Sequence, residues 1–250
     1  GLGDVYKRQI LTGAFTAIAV TNFAQNPWVG VLAAILVGIF LGLIHAVTCI
    51  TFKANQIVSG VAINLFASGI TIFFCWLLFG ETQIMAKSSL PIWGLSIPNV
   101  GEGSIWVRSI IVMFAHHSPL VYITIIIFAL SHIILYKTPF GLRLRSVGEY
   151  PQAADTMGVN IVKMRYIAVI TSGALAGLAG SFLSLEQAHF FVKEMSGGRG
   201  FIALAAMIFG KWTPLGTAGA ALLFGFGEAL SIRLQGVTAV PVQFINMVPY

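Results

Sequence analysis

Any chemistry done by this chain must come from few side chains, because only 9% of its 250 residues are Asp, Glu, Lys or Arg. Ala205-Ala206-Met207-Ile208-Phe209-Gly210-Lys211-Trp212 contains the Gly-Lys of a phosphate-binding loop. It lacks the first Gly and the Ser/Thr of that loop, so the backbone cradle for a phosphate cannot be built. Phe66-Ala67-Ser68-Gly69 carries the serine of an intramembrane protease motif, with Phe where the first Gly belongs. Nothing in the sequence brings a base, His132 or His189, to that serine. There is no His-Glu-x-x-His, and no two carboxylates share one face of an apolar run. The adjacent His116-His117 pair lacks metal-ligand spacing and reads as interfacial polarity. Cys49 and Cys75 both lie inside apolar runs, as core or lipid-facing residues rather than a disulfide framework. The expectation is a chain that is no enzyme and binds no metal or cofactor.

The surroundings of these residues explain their scarcity. With 57% apolar residues and a mean hydropathy of +0.90, the chain has no soluble surface and belongs in a bilayer. The net charge of +6 comes from basic residues scattered singly between apolar runs, which is no nucleic-acid footprint. Crossing roughly 30 Å of hydrocarbon takes about 20 apolar helical residues. Charge-free intervals therefore mark spans, since a charge at the bilayer centre is costly. They predict spans at about 10–24, 28–51, 55–79, 119–136, 166–185 and 214–232. A marginal apolar segment lies near 105–115, residues 200–210 are short for a crossing, and a last helix begins at 238–250. The predicted fold is all-α and polytopic, with about seven to eight spans. Gly1 to Gln9 differs in character from the rest of the chain and reads as a sequence-assembly scar, and the end at Tyr250 reads as a C-terminal truncation.

Orientation follows from the basic residues. If 137–165 is cytoplasmic, alternation puts nine of the 14 Lys and Arg inside, while the long 81–117 loop faces out with two.

Within the spans, small residues recur four apart: Gly38 and Gly42; Gly173, Gly177 and Ser181; Gly216 and Ala220. Such rows let helices approach closely, either inside this subunit or between subunits. Asn55, Ser59 and Asn64 fall on one broad face of their span. That face either lines a polar path or makes interhelical hydrogen bonds. Glu186 and Glu228 sit near the ends of their spans.

The least apolar stretch, Lys137 to Arg165, must lie in water or against a partner. Within it Gln152 to Met157 can form one or two helical turns closed by Gly158, as a docking element or a solvated connector.

Here the sequence resembles a known family. Thr138 to Leu185, Gly198-Arg199-Gly200-Phe201-Ile202-Ala203-Leu204-Ala205, Gly210-Lys211-Trp212-Thr213-Pro214-Leu215-Gly216, and Asn55 to Asn64 together resemble the permease subunits of bacterial ATP-binding-cassette importers. The branch is the one serving nucleosides and simple sugars, related to ribose and branched-chain amino acid permeases. Gln152-Ala153-Ala154-Asp155-Thr156-Met157-Gly158 corresponds to the Glu-Ala-Ala-x-x-x-Gly signature of importer coupling loops, with Gln for Glu and without the downstream Leu-Pro. The resemblance implies a single permease domain over 10–250 in the bacterial inner membrane, with a cytoplasmic coupling loop at 137–165. Gly148, Glu149, Gln152, Ala153, Ala154, Asp155 and Gly158 would couple to the ATPase. Asn55, Ser59 and Asn64 would be path candidates, and Gly173, Gly177 and Ser181 packing residues. It further implies cytosolic ATPase subunits that hold the ATP, a second permease subunit, identical or not, and an external binding protein or lipoprotein. The expected cargo is a nucleoside or simple sugar; the alternative is a stand-alone carrier or channel for a small polar solute.

Overall fold

A computed structural model describes residues 2–88, 90–91, 93–94 and 116–235. The segments expected near 105–115 and at 238–250 lie outside the described residues. Helix α1 is Leu2–Ala24, α2 is Pro27–Ala46 and α3 is Gln56–Phe79. They are followed by α4 (Pro119–Lys137), α5 (Pro139–Glu149), α6 (Pro151–Thr156) and α7 (Ile161–Phe182). The last two are α8 (Arg199–Phe209) and α9 (Pro214–Gln235). Helices α2 and α7 each run on into a π-helical turn, Val47–Thr51 and Leu183–Ala188. Among the described residues four short strands occur: β1 (Gln83–Met85), β2 (Trp93–Gly94), β3 (His116–His117) and β4 (Phe190–Val192).

Among the described residues five helical segments are long and apolar enough to cross a membrane: Pro27–Thr51, Gln56–Phe79, Pro119–Lys137, Ile161–Ala188 and Pro214–Leu234. The count of seven to eight is therefore only approximate. Helix α1 falls outside the five because its first turns carry Asp4, Lys7 and Arg8. Those turns, which composition alone sets apart, continue α1 without a break, and Val5, Arg8 and Gln9 are buried. Helix α8 has 11 residues, about 16 Å at 1.5 Å per residue, half of what a crossing needs.

The chain divides into two compact units, 1–197 and 198–250. In the first, α1, α2 and α7 pack along glycines. A Cβ on Gly38 would collide with the Gly173 carbonyl oxygen, and one on Gly173 with the Gly38 carbonyl oxygen; Gly177 meets Ala34 in the same way. With no water to exclude, such backbone contact is what holds helices together in lipid. Leu11, Ala14, Ala17 and Ile18 of α1 are buried in this core. Helices α3 and α4 instead expose large apolar side chains such as Leu65, Phe66, Trp76 and Ile125, a surface suited to lipid or another subunit.

Each end of this unit gathers particular connections. At one end β1 pairs antiparallel with β4, Ile84 opposite Phe191, and Phe191 lies edge-on to Phe15 at 5.4 Å. Asn22 closes that end: its amide donates to the Met85 carbonyl (2.9 Å) and its side-chain oxygen accepts from the Lys87 amide (2.8 Å). At the other end Thr51 and Tyr166 share a hydroxyl contact, and α5 and α6 fold back beside α4 and α7.

The described residues of the second unit form an α8–α9 hairpin. Its turn needs Lys211 and Trp212 at positive φ (51° and 59°). A Cβ on Gly216 would strike the Gly210 carbonyl oxygen, so both glycines are needed for the close approach.

Candidate functional site

The pair α5–α6 is exposed along one side. Thr138 starts α5: its hydroxyl oxygen accepts from the Gly141 amide at 3.2 Å, and Pro139 occupies the first turn, where a missing N–H costs nothing. A Cβ on Gly141 would strike the Ile134 carbonyl oxygen, so α5 lies against the last turns of α4. Arg145 stands over the Tyr136 ring at 4.5 Å, and the His132 ring stacks on Tyr136 at 5.2 Å. This guanidinium thus fastens α5 to α4 instead of reaching outward.

Helix α6 ends in a Schellman cap. The Val159 amide donates to the Ala154 carbonyl (3.0 Å) and the Gly158 amide to the Asp155 carbonyl (2.8 Å), with Gly158 at φ +77°. No described atom lies within 4 Å of a Cβ built on Gly158, so its conformation, not crowding, calls for glycine.

The coupling candidates divide. Gly148, Glu149, Gln152, Ala153, Asp155 and Gly158 are exposed, whereas Ala154 is buried against its own chain. Two neighbours that motif reasoning missed stand beside them: Tyr150 is 60% and Met157 83% exposed. Large apolar side chains in a segment too polar for the hydrocarbon were the available signal for a covered surface. The whole of α5 was missed as a helix too, although Thr138-Pro139 is an N-cap followed by a first-turn proline.

Behind this pair lies a cavity of about 530 Å³, lined among others by His45, Cys49, Gln56, Gly148, Pro151 and Arg165. Its wall includes the π-helical turn after α2. His45 Nδ1 and the Ser59 hydroxyl, both buried, are 3.0 Å apart and tie α2 to α3.

The path candidates do not form one continuous face. Asn55 is exposed and caps α3 by accepting from the Ile57 amide (2.8 Å). Ser59 is engaged with His45. Asn64 accepts from Arg8 Nε, and its backbone carbonyl accepts from the Ser68 hydroxyl (3.0 Å). For Ser59 and Asn64 the contacts are those of interhelical hydrogen bonding. Gly173 and Gly177 face Gly38 and Ala34 of the same chain, and the Ser181 hydroxyl donates back to the Leu178 carbonyl (2.7 Å).

Glu194, in the turn after β4, accepts from Arg8 Nη1 at 2.5 Å and faces Lys7 Nζ at 3.6 Å. The Arg8 hydrogen bond holds its carboxyl below the ordinary range, against the opposing effect of burial. In the second unit Glu228 of α9 accepts from Arg199 Nη2 at 2.9 Å. No group of three or more His, Cys, Asp or Glu able to hold a metal ion occurs among the described residues.

Long apolar helices locked through glycines, with an exposed pair of short helices at one end, make up a multi-pass membrane protein. Residues 6–249 match the family described as branched-chain amino acid transport system / permease component. The chain belongs to this family of permease subunits of the cell membrane. It is 44% identical to the guanosine ABC transporter permease protein NupQ of Bacillus subtilis (strain 168), over 96% of this chain and 77% of that one. Against the nucleoside ABC transporter permease protein NupC of Lactococcus lactis subsp. cremoris the identity is 34%, over all of this chain and 80% of the relative. The putative glucose ABC transporter permease protein TsgC13 of Haloferax volcanii is 36% identical, over 92% of this chain and 68% of its own length. No solved structure matches the chain.

Proposed function

We propose that this chain is the translocating subunit of an ATP-driven nucleoside importer, and that α5–α6 is the lever through which a separate ATPase drives it. The observation that carries the lever is the exposed, capped α6 with Tyr150 and Met157 uncovered beside it. The nucleoside rests on the two relatives so named. ATP is bound and hydrolysed by cytosolic partner subunits, and this chain performs no covalent step. Closure of the ATPase pair displaces Glu149 to Gly158, and the attached spans exchange inward- and outward-open states. That is a two-state change driven by differential binding. A second permease copy, identical or homologous, and an external binding protein or lipoprotein complete the machine. The end bearing α5–α6 is cytoplasmic. Gly1–Gln9, set apart by its composition, is assigned no role in transport.

The test is uptake by the complete transporter with its partners. Labelled guanosine uptake should saturate, should require ATPase activity, and should be competed by unlabelled nucleosides better than by ribose or glucose. Stronger competition by a sugar would move the cargo to sugars, and uptake that persists without the ATPase would make the chain a stand-alone carrier.

A further inference from the structure

The α8–α9 unit holds a charged pair at membrane depth. Glu228 lies about 21 Å from Pro214 and about 10 Å from Gln235 along α9, at 1.5 Å per residue. The segment Pro214–Leu234 is long and apolar enough to span, so this carboxylate falls within it and not at its rim. Its partner, Arg199, opens the short helix α8. The two side chains remain 35% and 41% exposed. Lipid offers such groups no hydrogen bonds, and intramembrane charges characteristically face a polar interior or a water-filled path.

The composition of α9 around Glu228 fits the second alternative. Thr217, Ala221, Gly225 and Glu228, at i, i+4, i+8 and i+11, lie on one side of the helix. A Cβ on Gly225 meets no described atom within 4 Å, so a small side chain at 225 needs no change in the described structure. The opposite side carries Leu222, Leu223, Phe226 and Leu230, all exposed and all suited to lipid.

We infer that Glu228 and Arg199 line the translocation path and form a polar contact for the passing solute. This rests on the nucleoside reading above and adds the residues that meet the cargo. The carboxylate accepts hydrogen bonds from the hydroxyl and N–H groups of a neutral nucleoside, while Arg199 keeps the site neutral overall. A nucleotide would not bind at this contact, because Arg199 stays paired with Glu228 and the carboxylate repels a phosphate brought beside it.

The experiment uses the complete transporter in membrane vesicles, with Cys49 and Cys75 replaced by Ser. Gly225→Cys and Phe226→Cys are compared with a small hydrophilic methanethiosulfonate reagent, with and without guanosine. Gly225→Cys needs no repacking, so it reports accessibility without unfolding the helix. The expected result is fast modification at 225, slowed by saturating guanosine but not by guanosine monophosphate, and slow modification at 226 under all conditions. Glu228→Gln should raise the KM for guanosine uptake at unchanged abundance, with Glu228→Asp restoring part of it. The exchange Arg199→Glu with Glu228→Arg should keep normal abundance but abolish transport. Equal modification at 225 and 226, wild-type KM in Glu228→Gln, or full transport by the exchanged pair would each overturn the inference. If the wild type takes up a sugar but no nucleoside, and that sugar protects position 225, the path assignment stands and the nucleoside reading falls.

Discussion

The α2–α7 seam and the α5–α6 lever hold their backbones in opposite ways. In the seam, glycine removes side chains so that Gly38 and Gly173 carbonyls approach each other's Cα positions, and any added carbon must move a helix. In the lever, glycine at 158 allows a left-handed residue with open space around it. The first use creates contact and the second creates shape. Buried Gly38, Gly173, Ala34 and Gly177 leave the seam no slack, whereas the lever is anchored at Gly141, Val147, Ala154 and the Arg145–Tyr136 contact and exposes Glu149, Tyr150, Gln152, Ala153 and Asp155. A frame that cannot shear and an element free to be gripped are what mechanical coupling across a membrane requires.

The largest effect should come from breaking the seam. Gly173→Leu places a branched side chain against the Gly38 carbonyl and the Gly42 backbone, at or above the upper end of the roughly 1–3 kcal/mol typical of overpacking. The protein should disappear from membranes, measured as abundance by immunoblot, while Gly219→Leu, with no described atom near its Cβ, should accumulate normally. Equal abundance of the two would mean that the seam is not what holds this unit.

Lever variants should reverse that pattern, sparing abundance and losing function. Ala153→Arg adds charge and bulk on the exposed side of α6, where the protein's own stability changes by about 0.5 kcal/mol or less. Gly158→Val forces a β-branched residue to φ +77°, at about 1–3 kcal/mol of local strain. Both should insert normally, with lost ATPase co-purification or ATP hydrolysis that substrate no longer stimulates. Ala154→Arg differs because Ala154 is buried within the chain. It should lower abundance as well, and the contrast between 153 and 154 separates a surface for a partner from a packing position.

Smaller still is the His45–Ser59 contact. Ser59→Ala leaves a buried imidazole nitrogen without its hydroxyl partner, costing about 1–3 kcal/mol. The loss should appear as a lower midpoint in detergent thermal denaturation, with uptake reduced in proportion to surviving protein. Lost uptake at full stability would instead make Ser59 a path residue.

These contrasts also show what the sequence could reveal. The apolar intervals locate the spans because hydrocarbon tolerates few charges, so 28–51 and 55–79 lie within two residues of Pro27–Thr51 and Gln56–Phe79. Polar residues are harder to read: nine residues of helix put Asn55 and Asn64 on opposite sides, and Asn55, Ser59 and Asn64 are each used differently, by a cap, by α2 and by α1. Spacing along one helix carries no information about which neighbour arrives opposite. Glu228 reads as peripheral from its place in the apolar run, and its partner Arg199 could not be found from spacing, since a helix and a turn separate them. Schellman geometry at Gly158 was legible, because a glycine after a short polar helix has few other reasons to be there.

The finest test of the seam-and-lever contrast uses two caps of similar chemistry. Thr138 accepts from the Gly141 amide at 3.2 Å at the start of α5, and Asn160 accepts from the Lys163 amide at 2.9 Å at the start of α7. Replacing either by Ala costs the helix start about 1 kcal/mol. In α7 the loss is absorbed, because the glycine contacts farther along hold the helix whether or not its first turn frays. In α5, 11 residues long and exposed on one side, that cost is a large share of what keeps the helix closed. Amide hydrogen exchange in the detergent-solubilised protein should therefore quicken about fivefold across residues 139–149 in Thr138→Ala, the factor expected for about 1 kcal/mol. In Asn160→Ala the increase should be confined to the first turn of α7, with residues 170–180 as protected as in the wild type. Exchange that spreads along α7 as far as it spreads along α5 would mean that the seam does not lock its helix, and that the two regions differ in exposure alone.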